Sequence, residues 1–143
     1  MNIKIDEKKI KVIKFGDKNY PEKLKNIYAK PAKLYVLGNA ELLNNNSIAI
    51  IGSRDCTKYG IQNALRFSYE LAKKNICIIS GFARGIDTYA HIGAIKAGGK
   101  TIAVLGCGLD EVYPSTNFNL YKEILISGGT IISEYPLGSK PDK

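Results

Sequence analysis

Four short runs rich in isoleucine and valine punctuate the chain: Ser47-Ile48-Ala49-Ile50-Ile51, Ile76-Cys77-Ile78-Ile79, Thr101-Ile102-Ala103-Val104-Leu105 and Thr130-Ile131-Ile132-Ser133. None alternates cleanly between apolar and polar residues. Continuous apolar strands of this kind belong to a parallel sheet covered on both faces. They recur about every 25–30 residues, the length of a strand–helix–strand unit. Between them the period becomes helical. From Lys58 to Lys74, apolar residues fall at Ile61, Ala64, Leu65, Leu71 and Ala72, with Ser68 in the gap. That stripe predicts a helix lying on a sheet, with Asn75 as its stop. A second helix is predicted from Asp87 to Ala97, ending at Gly98-Gly99. A third follows Tyr113-Pro114, with Ser115 or Thr116 as N-cap, and ends at Gly128-Gly129. The run Lys33-Leu34-Tyr35-Val36-Leu37 adds a further strand. The pattern predicts an α/β fold: a doubly wound, mainly parallel sheet in a Rossmann-like three-layer αβα arrangement, with right-handed crossovers.

Length and composition fit this picture. The 143 residues suffice for one domain, with 45% apolar and 24% charged residues. Residues 1–38 read as a lysine-rich extension packing on the core and 39–143 as the Rossmann-like core, effectively one domain. No apolar run approaches the roughly 20 residues that cross a membrane, and the first residues lack a signal-peptide pattern. The three cysteines are odd in number and widely spaced, which fits neither a disulfide framework nor a metal site and points to a reducing cytoplasm. The net charge of +8 makes nucleic acid a partner to consider. However, ten of the 21 basic residues and only four of the 13 acidic ones lie in residues 1–33. Most of the excess is therefore a local lysine spray, the usual composition of a solvated surface.

The candidate chemistry lies at the strand ends, where ligands bind in such sheets. Three successive ends carry glycine-rich loops: Gly52-Ser53-Arg54, Ser80-Gly81-Phe82-Ala83-Arg84-Gly85 and Gly106-Cys107-Gly108. Glycine admits a ligand close to the backbone. The following helices are expected to aim free N–H groups at the crevice, and arginine grips phosphate in a bidentate way. Any one loop alone reads as a tight turn. Three in one sheet, two with arginine, predict an anion site. Ser115, Asn117 and Phe118 at the third helix start are counted with it. Arg84 has a surface ion pair as its alternative role, and Phe118 has core packing. No dinucleotide fingerprint or P-loop is present, so no cofactor is expected. His91, the single histidine, reads as structural, Asp87 as a helix cap, and Glu134 has no catalytic partner in the pattern. No catalytic residue and no metal ligand is assigned.

An ordered series of motifs runs from residue 20 to the C-terminus: Tyr20-Pro21-Glu22-Lys23-Leu24, Pro31 to Gly38, Ile51-Gly52-Ser53-Arg54, Ser80 to Asp87 with Ala90-His91, Thr101 to Asp110 with Tyr113-Pro114, and Ser133-Glu134-Tyr135-Pro136. This series resembles the DNA-processing protein A family, also called DprA or Smf. The resemblance implies an extended Rossmann-like domain that binds single-stranded DNA with little sequence preference. It also implies a role in natural transformation: protecting incoming strands and helping to load the recombinase RecA, without enzymatic activity. Arg54 matches the family's DNA-contacting arginine. Ser115 stands where relatives can carry a lysine, Phe118 retains an aromatic, and Phe82 replaces the usual leucine. The family's Phe-x-x-Arg-Asn-Arg stretch is not reached before Lys143, which reads as truncation or shortening. A homodimer built on the missing part is then expected to be weakened or lost. Two other readings stay open: a phosphoribohydrolase-type enzyme on a related fold, whose Pro-Gly-Gly-x-Gly-Thr motif is only partly echoed in Ser127-Gly128-Gly129-Thr130, and a nucleotide-sensing module.

Overall fold

The computed structural model describes residues 1–142. Six strands, β1 (Lys11–Lys14), β2 (Lys33–Gly38), β3 (Ser47–Ala49), β4 (Cys77–Ser80), β5 (Thr101–Leu105) and β6 (Thr130–Ser133), form one sheet. Its order is β1-β2-β6-β5-β4-β3. Strands β3 to β6 are parallel, and β2 and β1 add on antiparallel beside β6. Helices α1 (Lys58–Lys73), α2 (Ile86–Lys96) and α3 (Phe118–Ile126) connect the parallel strands. Thr57 caps α1 by accepting from the Gly60 N–H, and Asn75, at φ 60°, ends it as its sequence predicts.

The α/β class and the mainly parallel sheet agree with the sequence pattern, but the expected double winding is corrected. The four parallel strands advance in one direction without reversing. Right-handed crossovers then set all three helices on the same face. Alternate strand residues sort accordingly. Ala103, Leu105, Ile131 and Leu37 pack with Leu120, Tyr121 and Ile124 of α3, and Ile78 packs with Ala72, Ala90 and Ala94. On the other face Cys77, Ile102, Ile132 and Val36 pack against Tyr20, Ala40 and Leu42, from loop and 3-10 segments of the N-terminal region. Tyr20 is fully buried there, and its hydroxyl donates to the Pro31 carbonyl at 2.7 Å. This thin cover leaves an apolar groove of about 250 Å³ between Leu24, Ile27, Ile79 and Val104.

Strand β1 has no counterpart in the sequence reading. It hides in the lysine-rich stretch as Lys-Val-Ile-Lys, with Ile13 alone buried. A charged, half-exposed edge strand carries little hydrophobic signal, and its lysines discourage pairing with another chain. Helix α3 also differs from expectation. A 3-10 turn over Ser115–Asn117 precedes it, and neither Ser115 nor Thr116 caps it.

Close packing of α1 on α2 fixes the helical layer. Ala64, Ser68 and Ala72 face Ala90, Gly93 and Ala94, and the Ser68 hydroxyl is satisfied by the Ala64 carbonyl at 2.7 Å. A Cβ on Gly93 would collide with Ser68 Oγ and lie 2.6 Å from the Leu65 carbonyl oxygen. Gly93→Ala is expected to cost on the order of 2 kcal/mol by overpacking, outweighing the better helix propensity of alanine. Urea unfolding would read this as a lower midpoint at unchanged slope.

Beneath this layer His91 is wholly buried. Thr101 Oγ1 donates to the Ile78 carbonyl at 2.8 Å and lies 2.7 Å from His91 Nδ1. The hydroxyl proton is thus committed, so Nδ1–H donates to Oγ1 and Nε2 is the lone-pair nitrogen. Nε2 has no partner. Burial holds the imidazole neutral and pushes its pKa down to about 3. The unfolded chain takes up a proton near pH 6.5 while the folded one does not, so stability falls as pH drops from about 6.5 towards 3. The expected slope is about 1 kcal/mol per pH unit. In His91→Gln the slope should flatten over that range, whereas a parallel curve would show that the acid sensitivity arises elsewhere.

Candidate functional site

The C-terminal ends of the parallel strands open into a cleft of about 420 Å³. Its construction begins with one carboxylate. Asp87, in the first turn of α2, is buried and accepts from three loop amides: Gly52 at 3.4 Å, Gly81 at 3.1 Å and Ala83 at 3.4 Å. It caps the loops rather than its own helix, whose N-cap is Gly85. Gly85, at φ +83°, lies hard against the Ser53 and Arg54 carbonyls, a position that excludes any Cβ. The Ile86 N–H then donates to the Ser53 carbonyl at 3.1 Å. The first two strand-end loops are thereby stitched into one rigid rim.

This arrangement corrects the expectation of free amides at the helix start. At the start of α2 the Ile86 N–H is committed to the Ser53 carbonyl, and the Asp87 carboxylate already takes the loop amides of Gly52, Gly81 and Ala83 that a phosphate could have met. The cationic groups left facing the cleft are side chains. Arg54 and Arg84 both line the cleft and are exposed. Arg84 realises its alternative role in part, pairing with Asp55 at 2.6 Å, while Arg54 has no ion pair among the described residues.

The other sequence candidates divide cleanly. Gly81, Ala83 and Gly106 line the cleft, and Gly52 and Ser53 lie exposed in its rim. Four do not face it. Ser80 is buried and donates to the Ile50 carbonyl at 2.6 Å. Phe82, at φ 62°, is buried against His91 and Tyr121, so it is no stacking platform. Gly108 is buried under Pro136–Gly138, its N–H given to Ser139. Asn117 is buried and donates to the Phe82 carbonyl at 3.0 Å and to Thr88 Oγ1 at 2.9 Å, tying the second loop to the start of α3. These four hold the cleft from behind, which corrects the expectation of direct contact. Ser115 is exposed but outside the cleft lining. Phe118 is half-buried against the core, with the Lys122 ammonium 4.3 Å from its ring centroid.

Two aromatic residues that sequence reasoning passed over take the place intended for Phe118. Tyr113 and Tyr135 line the cleft with 51% and 47% of their surface exposed. Each is anchored by buried neighbours. Tyr113 follows the fully buried Val112, and the Tyr135 N–H donates to Ser133 Oγ at 3.0 Å, which itself donates to the Cys107 carbonyl at 2.6 Å. Both tyrosines belong to Tyr-Pro pairs. That shared signal could have found them.

Below the cleft the two ends of the described chain meet on one loop. Asn2 bridges to Glu111, and buried Glu111 accepts from Lys140 and pairs with the Met1 ammonium at 3.6 Å. The hydrogen bond from Lys140 holds the Glu111 carboxyl below the usual range. Among the described residues no cluster of metal-ligating side chains occurs, and no helix is long and apolar enough to cross a membrane.

Comparison with known proteins places this geometry. The family described as DNA recombination-mediator protein A matches residues 11–143. DNA processing protein DprA of Streptococcus pneumoniae is 41% identical over 127 residues, covering 89% of this chain and 44% of that protein. Protein Smf of Borreliella burgdorferi is 42% identical over 130 residues, covering 91% of this chain and 41% of its own length. The chain thus spans less than half the length of these curated relatives. The crystal structure of the pneumococcal protein superposes with a TM-score of 0.84 at 40% identity, over 94% of this chain and 47% of that one. DNA processing protein A of Helicobacter pylori, which has a single-stranded DNA binding mode, superposes with a TM-score of 0.82 at 34% identity, over 94% of this chain and 59% of its own. By sequence over nearly its whole length and by fold, the chain belongs to the DNA recombination-mediator protein A family, the family of DprA and Smf.

Proposed function

We propose that this chain is a single-stranded-DNA-binding core that acts without catalysis in DNA processing. The observation that carries the reading is the cleft itself, where two exposed arginines and two exposed, anchored tyrosines share one wall system. A single strand needs cations for its phosphates and flat surfaces for its bases, and each stacked base contributes about 1–3 kcal/mol. Arg54 and Arg84 supply the first and Tyr113 and Tyr135 the second. An aromatic face stacks on any base, which supports binding with little sequence preference. His91 has no route to the cleft chemistry, being buried and bonded to Thr101. That supports a non-enzymatic role. Residues 1–38 and 39–143 work as one unit in this proposal. In the whole protein the core protects strands taken up in natural transformation and presents them to RecA in the cytoplasm. Any homodimer depends on segments beyond the matched half.

The cleft's volume also falls within the range of small-molecule pockets. A mononucleotide ligand is therefore the second reading.

Titration of labelled oligo-dT at several salt concentrations tests the proposal. Arg54→Ala is expected to weaken binding about tenfold, the value of one charge-assisted contact. It should also reduce the slope of log affinity against log salt by roughly 0.7. Arg84→Ala should cost less, because Asp55 already shares its charge. Asp87→Asn is expected to lower the melting temperature and weaken binding together, since the two loops use different carboxylate oxygens and the amide keeps only one acceptor. Stabilisation by AMP with no response to oligo-dT would instead favour the nucleotide reading.

A further inference from the structure

The cleft does not stop at Tyr135. The register continues it sideways. Tyr35 of β2 stands opposite Ser133, the last residue of β6, so Lys33 lies one pleat further along, at the end of the sheet from which the chain runs on to Tyr135. Lys14 of β1 stands directly opposite Lys33, and the Phe15 N–H donates to the Ala32 carbonyl at 2.8 Å, extending the ladder past them. Lys14, Phe15, Lys30 and Lys33 are therefore gathered at the same end of the sheet as the cleft, and all four are exposed.

Two features set this ledge apart from ordinary surface lysines. Lys14 and Lys33 form a like-charge cross-strand pair, an arrangement that is unfavourable unless an anion lies between the charges. Neither they nor Lys30 has an ion pair among the described residues. Asp17, the nearest acid in the turn, has one carboxylate oxygen engaged by the Lys14 backbone N–H at 2.8 Å. The lysines point to the helical face, where the Lys33 ammonium lies 5.4 Å from the Tyr35 ring, and on the opposite pleat, one residue on from Lys14, stands an anchored aromatic. Phe15 is 51% exposed but meets fully buried Tyr20 edge-on at 5.4 Å, and the Lys30 ammonium lies 5.3 Å from its centroid.

We infer that the single strand leaves the cleft past Tyr135 and runs across the ends of β2 and β1, with its phosphates on Lys33 and Lys14 and a base at Phe15. The path crosses the strands at right angles. From β4 to β1 it spans four inter-strand steps, roughly 19 Å at the usual spacing. The lysines at this end of β1 and β2 then serve the same ligand as the two arginines. This inference rests on the single-stranded-DNA reading of the cleft.

Fluorescence anisotropy with oligo-dT probes of stepped length tests it. Lys14→Gln/Lys33→Gln should bind the shortest probes like the wild type and lose about tenfold on longer ones, with the salt slope reduced by roughly 1.4 for two phosphate contacts. Lys8→Gln/Lys9→Gln removes the same charge near the opposite end of β1 and should leave the length dependence intact. Lys14→Arg/Lys33→Arg keeps the charge and should retain binding, which separates lost contacts from lost fold. Equal losses in the two glutamine variants, or a loss independent of probe length, would reduce the ledge to bulk charge and overturn it. If Arg54→Ala weakens binding while the ledge variants do not at any length, the ledge fails and the cleft stands. If the wild type does not bind oligo-dT, both fail.

Discussion

Everything on the functional side of this molecule hangs on the Asp87 carboxylate. One side chain accepts from both of the first two strand-end loops, and it does so from the first turn of the helix that packs under them. An ionised acceptor shared by several amides is stronger than its neutral equivalents, and α2 stabilises a negative charge there through its dipole. The consequence is an inversion of the usual logic of glycine-rich strand ends. In dinucleotide-binding folds the ligand's phosphate completes the loop. Here the protein supplies that negative charge itself, and the rim is complete before any ligand arrives.

The helical layer and the thin layer below the sheet divide the remaining work. Small residues let α1 and α2 approach closely, which seats His91 and Phe82 under the second loop and holds that loop from behind. On the other face short 3-10 segments and Tyr20 do what a second set of helices does in a doubly wound sheet. The lighter cover follows from the strand order alone, because parallel strands that never reverse direction deliver every crossover to the same side.

The parallel strands and α1 were legible because each repeats a strong local pattern: unbroken Ile/Val runs, and a stripe ended by Asn75. The side on which the helices pack was not, because strand order is a long-range property with no local signature. Strand β1 escaped because four residues with one buried side chain give almost no periodic signal. In the site, glycine and arginine marked the right loops, but type alone does not tell inward from outward. Ser80 and Asn117 look like ligand contacts in sequence and are spent on internal carbonyls. The Phe82 position was read as rim and belongs to the core. Tyr113 and Tyr135 went unnoticed because neighbouring prolines made them look like turn punctuation.

The uninterrupted march of the parallel strands has an evolutionary corollary. The stations along the sheet's end come from different loops and strands: the first two loops are locked together through Asp87, and β6, β2 and β1 take their spacing from the ladder. Beyond that locked pair, a strand end can change its side chain without shifting the stations on either side. Such an edge works like a comb with two fused teeth at one end and separately mounted teeth beyond them. A substitution at one of the separate teeth therefore leaves the pitch of the rest unaltered.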